Sequence, residues 1–180
     1  MSCGQKQLSD AVRLIECVTG EVKLVNIVNA CKNISCASPS ELGQRNALAK
    51  ALRVASELDA NKELFESATV VLKRMDAEIE LHNCQNMRFK LSAEEVAGKH
   101  KTTIRILTLE PQVERLENAI TAAEADNINA NADLIEKSKV KLEEMKKEYD
   151  EAQVEDAERL KAEEEAAMMK KKKKKKKKKK

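Results

Sequence analysis

The stretch DLIEKSKVKLEEM, residues 133–145, has a counterpart earlier in the chain in ELFESATVVLKRM, residues 63–75. Aligned at an offset of 70, the two share Leu, Glu, Val, Leu and Met, five of 13 positions. The segments before them match as well: Leu48, Ala51, Leu52 and Ala55 align with Leu116, Ala119, Ile120 and Ala123 at an offset of 68. The two-residue difference falls in the intervening turn, as expected of one supersecondary unit used twice. Apolar residues recur every three or four positions in both copies, so the unit is a helical hairpin. Small Ala beside Leu on the inner faces lets its two helices approach closely. A single hairpin buries too little area to stand alone, so neighbours or a partner must complete it.

Composition agrees with that reading. The 180 residues include four Gly, two Pro, one Tyr, two Phe and no Trp. Turn formers and large aromatics are scarce, whereas Ala, Leu, Glu and Lys, all good helix formers, dominate. The fold expected is all-α, with helical hairpins in series and a long exposed C-terminal helix able to form a coiled coil. The formal charge of +3 conceals an asymmetry, because Lys170–Lys180 supplies 11 of the 34 basic residues. The rest of the chain is acidic. No apolar run approaches the roughly 18–20 residues that a bilayer span needs.

Working outward from the two hairpins, residues 1–37 read as an N-terminal helical pair. Leu8, Val12, Ile15 and Val18 share a stripe, and Gly20 is expected to stop the first helix. Val22, Val25 and Val28 open the second. Residues 38–87 form the first hairpin, with Ser38 as N-cap, Pro39 at the first helical position and Glu41 completing a capping box. Its second helix should bury Leu64, Ala68, Val71, Leu72, Met75 and Ile79. Residues 88–110 read as a small irregular connector. Ser92 and Glu95 repeat the capping-box spacing there, but TTIRILTL alternates like a strand, and Pro111 is expected to open a new helix.

Residues 111–150 form the second hairpin, with EADNINANAD as its turn. Residues 151–169 continue as an exposed charged helix on which Glu155 should pair with Arg159. Residues 170–180 are expected to be an extended, disordered tail, since eleven like charges repel. Adenine runs encode lysine, so the run reads as an extension rather than part of the fold.

The pattern L-x-x-A-I-x-x-A, a turn, then D-L-I-x-K-x-K-x-x-L-x-x-M resembles helical-hairpin segments of large flagellar and ciliary axonemal proteins of protists. The resemblance covers residues 112–147 best and 46–79 less well. It implies a scaffold or filament-associated role on a microtubule structure and carries over no functional residue.

Chemistry leaves little trace. Neither G-x-x-x-x-G-K nor G-x-G-x-x-G occurs, so nucleotide binding by those loops is excluded. His82 and Cys84 stand two apart, which on a helix points them away from each other, and His100 is the other imidazole. Cys3, Cys17, Cys31, Cys36 and Cys84 contain no C-x-x-C pair to nucleate a zinc site. An odd cysteine count behind an N-terminus without an apolar h-region implies thiols in a reducing, cytoplasmic setting, with a cilium or flagellum in view of the resemblance. The expectation is a protein with no catalytic, cofactor-binding or metal-binding residues, one that binds other proteins within a larger assembly. Its partner-binding seam should be Leu142, Met145, Tyr149, Val154 and Leu160. The alternative is a nucleic-acid or anionic-surface binder acting through the lysine run. No aromatics interleave with those lysines, so its binding would be sequence-blind and salt-sensitive.

Overall fold

The computed structural model describes residues 3–32, 34 and 39–177. They form six helices: α1 (Cys3–Lys32), α2 (Pro39–Glu57), α3 (Lys62–Asn86), α4 (Ala93–Val96), α5 (Lys101–Glu124) and α6 (Ala132–Lys177). No strand occurs among the described residues, and the protein is all-α. Ser38 and Cys36 lie outside the described residues, as do the side chains of Cys3 and Glu41; α2 does begin at Pro39.

Four expectations give way. The N-terminal pair is one helix, because Gly20 lies inside α1 rather than ending it. A Cβ at Gly20 would stand 3.0 Å from Leu58 Cδ1, so glycine serves close approach here and not termination. The connector holds regular structure over most of its length, and TTIRILTL is helical within α5. A lone strand leaves its backbone groups unpaired, whereas a helix satisfies its own, and that outweighs a weak β-propensity. Pro111 sits in the interior of α5. The ladder beside it is reinforced by side chains: Thr108 Oγ1 donates to the Ile104 carbonyl at 2.8 Å and Gln112 Nε2 to the Thr108 carbonyl at 2.7 Å. Finally, α6 runs to Lys177, so the first lysines of the tail are helical. The helix is already nucleated there, lysine propagates it well, and cations near a C-terminus suit the helix dipole.

The chain divides into two compact units, Met1–Asn86 with Asn118–Ser138, and Met87–Glu117 with Lys139–Lys180. In the first, α1 contributes Leu24, Val28 and Cys31 to the core, α2 contributes Leu48, Leu52 and Ala55, and α3 contributes Ala68, Val71 and Met75. Leu64, Leu72 and Ile79 pack against that cluster half-buried. The α2–α3 turn is a Schellman motif: Asp59 takes φ 51°, and the Ala60 amide donates to the Ala55 carbonyl at 3.0 Å. Asn61 then caps α3, its Oδ1 accepting from the Leu64 amide at 3.1 Å.

The turns before α3 and α6 share these details. Asn131, 70 residues after Asn61, caps α6 the same way, its Oδ1 accepting from the Leu134 amide at 3.1 Å. Each capping Asn donates its own amide to a glutamate on another helix: Asn61 to Glu21 Oε1 at 2.7 Å, Asn131 to Glu78 Oε1 at 2.9 Å. Asn127 in the second turn repeats the positive φ of Asp59. Leu116, Ala119, Ile120 and Ala123 are buried, as are their counterparts Leu48, Leu52 and Ala55 in α2, while Ala51 is half-buried.

Glu78 is itself buried, and its carboxylate lies 3.9 Å from Arg74 Nε. The Arg74 guanidinium closes the end of α1, donating to the carbonyls of Cys31 and Lys32 at 2.6 Å each and of Ile34 at 3.1 Å. Breaking such a buried pair by removing one partner costs about 3–5 kcal/mol, because the other charge is left desolvated.

In the second unit α4 is a single turn with a complete capping box. Ser92 N donates to Glu95 Oε2 at 2.7 Å, and Glu95 N donates to Ser92 Oγ at 3.3 Å. The Ser92 amide and hydroxyl hold the Glu95 carboxyl below its ordinary range. Gly98, at φ 74°, then turns the chain toward α5. Here α5 and α6 run antiparallel, pairing Glu117 with Lys146, Glu110 with Tyr149 and Thr102 with Asp156. Leu116, Met145 and Ala152 are buried.

Candidate interaction surfaces

The apolar surface lies on helix faces. Among the described residues α1 exposes Leu8, Val12, Leu14, Ile15, Val18, Val22 and Val25, with Leu8 68% and Ile15 65% accessible. Six of these fall at spacings of three and four, one stripe on the face turned away from Leu24, Val28 and Cys31. Along it an open groove of about 490 Å³ is lined by Val18, Val22 and Val25 of the stripe and by Asn61, Glu63 and Leu64 at the start of α3. Nothing in the described structure covers the stripe.

The seam expected on α6 divides in two. Met145 is only 7% accessible, and Leu142 and Tyr149 are half-buried. The Tyr149 hydroxyl donates to Glu110 Oε1 at 3.4 Å. These three are largely covered by the chain itself. Val154 at 59% and Leu160 at 48% accessible remain open. Around Val154 the surface is charged, with Lys147, Asp150, Glu151 and Glu155 along the same groove.

The freely exposed part of α6 begins later than the expected residue 151. Ala152 is buried, and Asp156 is held by both threonines at the start of α5, with Thr103 Oγ1 donating to its Oδ1 at 2.9 Å. Arg159 therefore pairs with Asp156 at 2.9 Å, and with Glu163 at 2.7 Å, rather than with Glu155. The Thr102 hydroxyl first, then Arg159 and Thr103, pull the Asp156 carboxyl down to about 2. Residues 161–171 have exposed side chains throughout.

The residues weighed for chemistry are dispersed. Cys31 is buried at the end of α1, and burial pushes its thiol up despite the nearby Arg74. Cys84 is buried on α3, donating to Glu80 Oε1 at 3.6 Å. His82 lies one turn from Asn86, whose Nδ2 donates to the His82 carbonyl at 2.9 Å. His100 is exposed and caps α5, with its Nδ1 3.4 Å from the Thr102 amide. Among the described residues no group of three or more His, Cys, Asp or Glu is placed to hold a metal ion. No described helix is long and apolar enough to cross a membrane.

Comparison with known proteins finds no family model, no curated protein and no solved structure that matches this chain. Function has to be argued from the surfaces alone.

Sequence reasoning missed the α1 stripe as a surface because Gly20 divided it between two expected helices. The signal was present: Leu8, Val12, Ile15, Val18, Val22 and Val25 keep one helical phase straight through the glycine.

Proposed function

We propose that this chain is a non-enzymatic helical scaffold that works by presenting helix faces to other proteins in a larger assembly. The observation that carries the reading is the α1 stripe, a run of large apolar side chains that the chain leaves open to water. Exposed apolar surface concentrated on one face marks an interaction site. The hairpin pattern of residues 112–147 makes a microtubule structure such as a ciliary axoneme the first assembly to try. Cosedimentation of the purified chain with polymerised tubulin tests this. Saturable binding that persists after deletion of Lys170–Lys180 is expected.

A second reading rests on the helical start of the lysine run, which adds a dense positive charge to the end of α6. Such a segment binds polyanions by counterion release, with affinity falling steeply as salt rises. Binding to DNA and RNA that disappears with the deletion, with no tubulin binding by either form, would favour this reading over the scaffold.

A further inference from the structure

The α1 stripe has the composition of a buried face. In α3, Phe65, Ala68, Val71, Leu72, Met75 and Ile79 belong to or pack against the core cluster shared with α1 and α2. A shift of 57 residues lays α3 onto α1, matching the two clamping glutamates Glu78 and Glu21, Ala77 with Gly20, and buried Leu81 with buried Leu24. The six core-facing positions then fall on Leu8, Ala11, Leu14, Ile15, Val18 and Val22, all exposed. In α6 the positions matching Phe65, Leu72, Met75 and Ile79 are Ile135, Leu142, Met145 and Tyr149, all buried or half-buried. That face is covered on α3, covered on α6 apart from the exposed Lys141 that matches Val71, and uncovered on α1.

Two arrangements of a second copy offer to cover it. Head-to-tail stacking would set the stripe against the outward face of α6. The positions there that match Ala77, Leu81 and Gln85 of α3 are Lys147, Glu151 and Glu155. Burying apolar side chains on those charges strips them of water without pairing them, which opposes this contact. A two-fold contact of α1 with itself has no such conflict. The stripe is nearly symmetric about a point between Glu16 and Cys17, so an antiparallel pairing sets Leu8 across from Val25, Val12 across from Val22 and Ile15 across from Val18.

We propose that α1 is a homodimer interface, its exposed stripe packing antiparallel on the α1 of a second copy of this chain. The proposal rests on the scaffold reading, since it names the first partner such a face would take. The apolar area available is roughly 1,000 Å² over both copies, at the lower edge of specific interfaces, the size class of weak, reversible association.

Sedimentation velocity on the full chain, across about 1–100 µM, the range in which weak dimers form and dissociate, decides the matter. The expected result is a shift from a 20.1 kDa monomer toward twice that mass as concentration rises. Ile15→Lys with Val18→Lys should hold the chain monomeric throughout, with its helical circular dichroism unchanged because both positions are exposed. Met168→Lys, at an exposed position on α6, should leave the dimer intact. A monomer at every concentration overturns the proposal, as does a dimer that survives both stripe substitutions. A monomer that still binds polymerised tubulin overturns the dimer while sparing the scaffold reading. A stripe-dependent dimer that binds no other protein does the reverse.

Discussion

At Gly20 and Gly43 the same residue type does opposite work inside two helices. A Cβ at Gly43 would meet nothing within 4 Å, so the position carries the entropic cost of glycine with no packing return. Gly43→Ala should stabilise the protein by about 0.8–1 kcal/mol, raising the thermal midpoint by roughly 2–4 °C for a chain of this size. At Gly20 the space is filled by the Leu58 methyl. Gly20→Ala asks that flexible group to give by a few tenths of an ångström, so the propensity gain and the strain should nearly cancel. Gly20→Leu drives a side chain between α1 and α2 and should cost about 1–3 kcal/mol. Thermal melts of the three variants check the contrast, and equal behaviour of Gly20→Leu and Gly43→Ala would contradict the close approach. The sequence alone could not separate these two glycines. Whether a helical glycine ends an element, fills space or wastes it depends on what stands opposite, here Leu58, 38 residues away.

Elements were legible where their backbone demands are local. The Ser92–Glu95 capping box and the turn rich in Asn after α5 both follow from side chains within a few positions of the group they satisfy, and α2 starts at Pro39, where a helix needs no amide hydrogen. The failures came where local signals conflicted with a neighbouring element. TTIRILTL has strand-like alternation, yet as helix it puts Thr102 and Thr103 against Asp156 of α6. That contact has a pH signature. Thr102, Arg159 and Thr103 favour the ionised Asp156, whose carboxyl falls to about 2 from an ordinary 3.8. A carboxyl lowered on folding contributes stability that is fully present above its unfolded value and is lost as pH falls through the folded one. The difference in thermal midpoint between the natural chain and Asp156→Asn should therefore be constant above about pH 5 and shrink between about pH 4 and 2. Using the difference removes the carboxylates that titrate equally in both. A gap independent of pH would mean that the ionised group is not what anchors the start of α5. Of the expected seam, Met145, Leu142 and Tyr149 turned inward for a related reason. A heptad-like stripe records that a face will be buried, and does not record by which chain.

At the scale of the whole molecule, the charge asymmetry read from the sequence coincides with a structural one. Buried side chains on α6 end at Ala152, and the last side chains tying it to α5 are Asp156 and Arg159. Beyond them, residues 161–171 are exposed, and among the described residues their helix is supported by propensity and by the intrahelical pair of Arg159 with Glu163. An amphipathic helix draws most of its stability from tertiary packing, so this end should contribute helix content and charge with almost no folding free energy. Deleting residues 164–180 should leave the thermal midpoint within about 1 °C, since surface changes away from packed features stay within about 0.5 kcal/mol. The same deletion should lower the ellipticity at 222 nm in proportion to the helix removed. The protein's electrophoretic behaviour should turn from basic to acidic, because the deletion takes away all eleven terminal lysines. A large fall in the midpoint would show that the end of α6 is packed on something, and would make the terminal lysines part of the fold. If the midpoint holds, the folded body is acidic and self-sufficient. Its interactions then depend on where apolar surface remains, which is chiefly the stripe on α1.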